Sequence, residues 1–270
     1  MQSPSFKYDQ NNKYHRFARS VVIVVVSLTM FVMIWWFIAK LANLTALPTP
    51  GETWKAFVSL VRDGDPLTGV SLGEYVKKSF TTFLKGFLLA FIIAVPVGLG
   101  LGYLPTLKEF VTPVIEVLRP IAPIAWAPIF ILSFGYTTGP PLVVFIGIFF
   151  PLITNAIFGV QKIDPALIDA AKTLGANALQ IFYKVVLPSS VPYIMNGVKV
   201  GLGIGWMCIV AAELYATPLG GLGFYLNEQA VSGNWPGAYS AILIIAILGL
   251  LTTGVAEYAH KVITRRMGLE

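Results

Sequence analysis

Cysteine, histidine and charge are all scarce in this chain, and each shortage closes off a class of function. The only cysteine is Cys208, so no intrachain disulfide can form, and its apolar neighbours give it a packing role. The two histidines, His15 and His260, lie near opposite chain ends. With so few, neither a Ser-His-Asp grouping nor a set of metal ligands at the usual spacing can be assembled. No GxxxxGK[ST] loop occurs anywhere, so any use of ATP requires a partner that binds it. Nothing here composes an enzyme active site.

Charged residues make up only 12% of the 270 residues and hydrophobic ones 56%, with mean hydropathy +0.75. A soluble domain carries roughly 25% charged residues, so this composition is that of a membrane-embedded protein. The net charge of +6 is dispersed in short patches between apolar runs. That is a topology signal and not a nucleic-acid face.

Six uncharged runs follow one another: Val21–Ala39, Gly86–Leu104, Pro120–Gly135, Pro140–Val160, Val200–Ala212 and Tyr239–Ala256. The first suits a helix across a hydrocarbon core of about 30 Å and is too long for a secretory signal. The third and fifth reach spanning length by borrowing Val111–Leu118 and Leu214–Thr217, which admits Glu116 and Glu213. The expected fold is therefore an all-α membrane protein with six transmembrane helices. Lys and Arg concentrate in alternate connections, with Lys108, Arg119, Lys162, Lys172 and Lys184 on the side of the N-terminus, which puts both termini in the cytoplasm. In that count Arg119 is an orientation charge at the inner end of the third span, its side chain snorkelling to the interface.

The expected organisation is a cytoplasmic tail over 1–20, a first span over 21–39 and an external loop over 40–78. A core transmembrane domain over 79–264 follows, with a second cytoplasmic tail over 265–270. In the external loop Thr49 can cap a short interfacial helix with Trp54, Phe57, Val58 and Val61 on its apolar face. The patterns "GLGLG" at Gly98–Gly102 and "GLGIG" at Gly201–Gly205 lack the strand-turn-helix context of a dinucleotide site. Within apolar runs they are surfaces for close helix approach.

One stretch breaks the oily succession: "DPALIDAAKTLGANALQIFYKVVLP", Asp164 to Pro188, inside a cytoplasmic loop over 161–190. Asp164 and Pro165 read as N-cap and first-turn proline, and Leu167, Ala170, Ala171 and Leu174 recur at helical spacing. Gly175 stands where a helix stops in a left-handed residue. A second helix is expected from about Ala176 to Val186, ended by Pro188. A linker between spans has no need of an Ala-Ala pair and a glycine stop, whereas a docking knob for a cytoplasmic partner does.

The path through the membrane is less legible. Pro120, Pro123 and Pro128 with Trp126 make the third span a candidate pore-lining element, since irregular backbone is tolerated only against protein or a water cavity. Packing alone accounts for bent helices equally well. Trp206 can line a path or fill a core. Glu213, at the end of an apolar run, can line the path or pair with a loop donor near the outer interface, and its charge would repel an anion. A structural or gating role suits it better than solute binding.

The docking stretch resembles the cytoplasmic loop of ABC-importer permeases. The matching residues are Asp169-Ala170-Ala171, Gly175 and Leu187-Pro188, with Asp in place of the family's Glu at 169. "LPTPGETW", "LRPIAPIAWAPIFILSFG", "VLPSSVPYIMNGVKVGLGIGWMCIVAAEL" and "GGLG" are similar to the branch that moves nitrate, sulfonates, taurine and bicarbonate. The resemblance covers nearly the whole chain. It implies a type I ABC importer permease fold in the inner membrane of a prokaryote, with no cofactor in this chain. It further implies two ABC ATPase subunits that bind ATP and Mg, an extracytoplasmic solute-binding protein and a second permease, here a homodimer. In that family the loop seats in the ATPase, which makes Asp169, Ala170, Ala171, Leu174, Gly175, Leu187 and Pro188 the coupling residues. The solute implied is small and foremost an anion. An ATP-independent carrier or channel, or an assembly subunit without transport, are the alternatives from other classes. The first should show an internal repeat, and none stands out.

Overall fold

The computed structural model describes residues 13–215 and 220–267, and every regular element among them is helical. The far ends of both expected tails, and positions 216–219, which take in the end of the fifth span's extension, lie outside the described residues.

The first helix, α1 (Lys13–Ala42), exposes apolar side chains on all sides from Val21 to Ile38. A helix without a wet face belongs in lipid. It meets the rest of the chain at one end, where Trp35 stacks on Tyr239 with centroids 6.0 Å apart and its Nε1–H donates to the Pro48 carbonyl at 3.1 Å.

The surface helix α2 (Pro50–Asp63) starts at Thr49, as expected, with a reciprocal cap. The Glu52 amide donates to Thr49 Oγ1 at 3.4 Å, and the Thr49 amide donates to Glu52 Oε2 at 2.7 Å. That backbone donor holds the Glu52 carboxyl below the usual carboxylate range. Its expected apolar face is divided. Leu60 is buried and Phe57 packs beside it against Tyr75 and Tyr225, while Trp54, Val58 and Val61 are exposed.

Three long helices carry the core: α3 (Leu72–Tyr103), α5 (Pro123–Gln161) and α8 (Leu187–Tyr215). The second part of α5 lies between α3 and α8, and small residues set the spacing. A Cβ on Gly98 would stand 2.6 Å from that of Ala156, and one on Gly205 2.7 Å from Ile148 Cδ1. Gly98, Gly102, Gly201 and Gly205 are contact points between helices, while Gly100 and Gly203 face open space. A last long helix, α10 (Trp235–Arg266), closes on α8 and on the short α9 (Leu222–Val231).

One expectation is refined and another requires correction. Among the described residues five unbroken helices are long and apolar enough to cross a membrane, α1, α3, α5, the run 178–215 and α10, and α5 is itself bent at Gly135. The third expected span is not a single helix. It is α4 (Pro105–Leu118), a break over 119–122, and a first arm of α5 over 123–134, because prolines at 120 and 123 remove the amides that would continue α4. The chain then reverses at Gly135 (φ 76°, ψ 173°), so the first arm folds back along the second, over 136–161, and Gly139 packs against Ile131. The expected third and fourth spans therefore share one bent element.

The correction concerns Pro188. No helix ends there. A single turn, α7 (Ala178–Ile181), runs through a wider turn at Phe182–Val186 straight into α8. In that turn the Leu187 amide donates five residues back, to the Phe182 carbonyl. This change of register just before Pro188 lets a residue without an N–H sit inside a continuing helix.

Candidate coupling loop and solute pathway

At one end of the bundle the chain leaves α5 and forms α6 (Pro165–Thr173), which presents two faces. Asp164 Oδ1 accepts from the Ala166 amide at 2.9 Å and starts the helix. Ile168 and Ala171 pack inward beside Ile163, Ile181 and Val185. Leu167, Ala170 and Leu174 face out, Leu174 with 88% of its surface exposed. Asp169 is also outward and pairs with Lys172 at 3.2 Å.

Gly175, at φ 78°, closes α6 through a pair of bonds: its own amide donates to the Lys172 carbonyl at 2.9 Å, and the Ala176 amide to the Ala171 carbonyl at 3.0 Å. This is the left-handed glycine stop, and no described residue stands within 4 Å of where a Cβ would project. Asn177 then starts the next turn with a reciprocal cap to Gln180, both bonds 2.9 Å. From there the helical run is unbroken to Tyr215, with Leu187 packed against the buried cluster of Ile181, Val186 and Ile194. An outward apolar face is thus joined rigidly to a spanning helix.

At the opposite end Glu213 is buried, 3% exposed, and its role in the fold is explicit. Oε2 accepts from Ser79 Oγ at 2.8 Å and from the Gly223 amide at 2.9 Å, and Ser79 Oγ in turn accepts from the Leu222 amide at 2.8 Å. Glu213 and Ser79 together satisfy the first amides of α9, which has no side-chain cap of its own. The neighbouring "GGLG" follows from this, since a Cβ on Gly221 (φ 127°) would lie 2.5 Å from the carboxylate.

The remaining pathway candidates fall in different surroundings. Trp206 is in the core of the chain itself, stacked on Phe83 at 4.7 Å and donating to Thr252 Oγ1 at 2.8 Å. Trp126 stacks on Phe130 at 5.7 Å in the first arm of α5. Pro123 lines a cavity of about 400 Å³ that also receives Arg119, Thr154 and Asn155. A second cavity, of about 410 Å³ near Glu213, carries Lys77, Lys78 and Lys85 on its wall with Glu74.

Sequence reasoning passed over two polar constellations. Asp65, 1% exposed, accepts from Tyr75 Oη at 2.9 Å, Thr68 Oγ1 at 2.6 Å, the Leu67 amide at 3.1 Å and Gln229 Nε2 at 3.0 Å. It pins the loop after α2 to α3 and α9. Lys199 of α8 pairs with Glu257 of α10 at 2.7 Å. Its only trace in the sequence is that both charges sit at the edges of uncharged runs.

The family model for the binding-protein-dependent transport system inner membrane component matches residues 86–268. An ABC transporter permease protein of Methanocaldococcus jannaschii is 40% identical over 64% of this chain and 65% of its own length. The taurine transport system permease protein of Escherichia coli is 30% identical over 93% of this chain and 90% of its own. The nitrate import permease protein of Leptolyngbya laminosa is 30% identical over 77% and 74%. Among solved structures, an inward-facing form of the MetNI methionine ABC transporter is similar in fold, with TM-score 0.60 and 19% identity over 72% of this chain and 96% of that one. The chain belongs to the binding-protein-dependent transport system inner membrane components, the multi-pass permease subunits of prokaryotic ABC importers.

Proposed function

We propose that this chain is the permease of an ATP-driven importer for a small solute of the sulfonate, nitrate or bicarbonate kind, worked through α6 by a separate ATPase. The observation that carries this reading is the outward face of Leu167, Ala170 and Leu174. It is an unpartnered apolar surface on a charged, water-exposed helix, fixed by the Gly175 stop and continuous through 178–215 with a spanning helix. A groove on an ATPase that grips α6 would move α8 with it.

In this mechanism two ATPase subunits bind ATP and Mg and close, and each pulls on one permease of a homodimer. A solute-binding protein delivers its cargo at the far mouth. A ligand moves a two-state equilibrium only by its differential affinity, so ATP and the loaded binding protein both favour the outward-open state. Catalysis of ATP hydrolysis belongs to the partner.

The test is purification in mild detergent from native membranes, wild type beside Gly175→Asp, with copurifying chains identified by mass spectrometry. A nucleotide-binding subunit that accompanies the wild type and is lost with the variant is the expected result. A well-folded wild type with no ATPase in several detergents overturns the reading and brings an ATP-independent carrier forward.

A further inference from the structure

Arg119 is not at the end of a span. It occupies the break between α4 and the first arm of α5, and lines the cavity with Gly147, Phe150, Thr154 and Asn155 of the second arm and Ile204 of α8. Phe150 lies fifteen positions beyond the Gly135 corner and eleven before Gln161, about 22 Å and 16 Å at the helical rise. Ile204 lies on the Tyr215 side of the middle of the 178–215 run. Phe150, and the place of Arg119 between the 14 residues of α4 and the first arm of α5, set it inside the bundle, where a cation is costly and by default marks an ion path.

The rest of the cavity explains what such a cation can hold. Thr154 and Asn155 are its polar neutral groups, and among the described residues no carboxylate lines it. Thr154 Oγ1 donates to the Phe150 carbonyl and Asn155 Nδ2 to the Pro151 carbonyl, so both contribute dipoles that are already anchored. Among the described residues no carboxylate lies in ion-pair range of Arg119; Glu116, one turn back, does not reach it. The carbonyl end of α4 favours a positive charge there, but it does not use the planar fork of five donors. Beyond the break a new helix begins at Pro123 without a side-chain cap, adding the positive end of its dipole to the same wall. Apart from the carbonyl end of α4, the charge on this wall is positive.

We propose that this cavity receives the oxyanion of the solute in transit, with Arg119 as its charged ligand. The inference deepens the importer reading and rests on it. Guanidinium matches a nitrate, bicarbonate or sulfonate through paired N–H···O bonds. The missing carboxylate then has a purpose: a permanent counter-ion would compete with the cargo.

The test uses the complete transporter, with its ATPase and binding protein, in proteoliposomes. Labelled nitrate, bicarbonate and taurine serve as probes, and uptake is measured beside ATPase stimulation by the loaded binding protein. Losing one charge-assisted contact should lower uptake of the transported probe roughly tenfold or more in Arg119→Gln. ATPase stimulation should persist, and Arg119→Lys should retain more uptake than Gln. Uptake by Arg119→Gln within about twofold of wild type overturns the proposal while leaving the importer reading intact. Equal loss in Lys and Gln together with lost ATPase stimulation makes Arg119 a structural residue and also overturns it. A wild type with neither ATP-dependent uptake nor stimulated hydrolysis overturns the importer reading itself, and this proposal with it.

Discussion

Ser79 and Glu213, 134 positions apart, share a hydrogen bond of 2.8 Å in a site closed to solvent, and through it α3 and α8 jointly cap α9. The carboxylate is a structural anchor at the end of the bundle away from α6. Glu213→Ala would leave the Ser79 hydroxyl and the Gly223 amide short of an acceptor, at a cost of about 2–4 kcal/mol. Glu213→Gln keeps one acceptor oxygen and should cost less. The expected outcome, by melting in detergent, is a lower Tm in the order wild type, Gln, Ala, with the ranking of transported solutes unchanged in Gln. An altered ranking at normal Tm would make Glu213 a solute ligand instead.

A second expectation concerns Gly147 and Cys208, where α5 and α8 touch. A Cβ on Gly147 would collide with Cys208 Sγ. Gly147→Ala alone should destabilise by about 1–3 kcal/mol through overpacking. Adding Cys208→Ala removes the obstructing sulfur, so the double variant should recover most of the loss. A double-variant cycle on Tm in detergent measures this, and strict additivity of the two changes would show that the contact is slack.

Asp65 offers a third. Its carboxylate gathers four donors from the loop after α2, from α3 and from α9. Asp65→Ala strips acceptors from Tyr75 and Gln229 in a buried place, an expected loss of about 3 kcal/mol or more. The local signature is faster amide exchange in 64–70 and in α9, with α6 unaffected. Exchange rising equally in α6 would mean that the two ends of the bundle open as one unit.

How much of this was legible in advance follows from what each signal encodes. The turn chemistry at α6 was readable because it is local: Asp164 before Pro165 and Gly175 after Leu174 are starts and stops whose donors lie within four residues. The same holds for Thr49 and Glu52. The shape of the third span was harder to read, because a non-local arrangement decides it. The third uncharged run is long enough for a helix, but its arm is short and folds back at Gly135, which only packing against the second arm reveals. The break at which Arg119 stands was hidden for the same reason. Charge counting cannot distinguish a cation at the membrane surface from one at a break in the interior. Pro188 misled because a proline in sequence does not announce the wider turn that accommodates it. Asp65 with Gln229, 164 positions apart, left no pattern at all.

Gly175 separates two effects that a single substitution usually mixes. At φ 78° any L side chain is strained, by about 1 kcal/mol for alanine, yet space is open where a Cβ would project. Gly175→Ala should therefore leave the permease in the membrane with only a small loss of stability, and reduce ATPase copurification partly. Gly175→Asp adds bulk and charge at the docking surface and should abolish it. Leu174→Asp supplies the control, because Leu174 is 88% exposed and has almost no packing to lose within the chain. It should match Gly175→Asp in lost ATPase binding while keeping the wild-type Tm. If Leu174→Asp retains the ATPase and Gly175→Asp loses it together with Tm, the glycine serves only the fold of α6, and the grip of the motor must lie elsewhere on the loop.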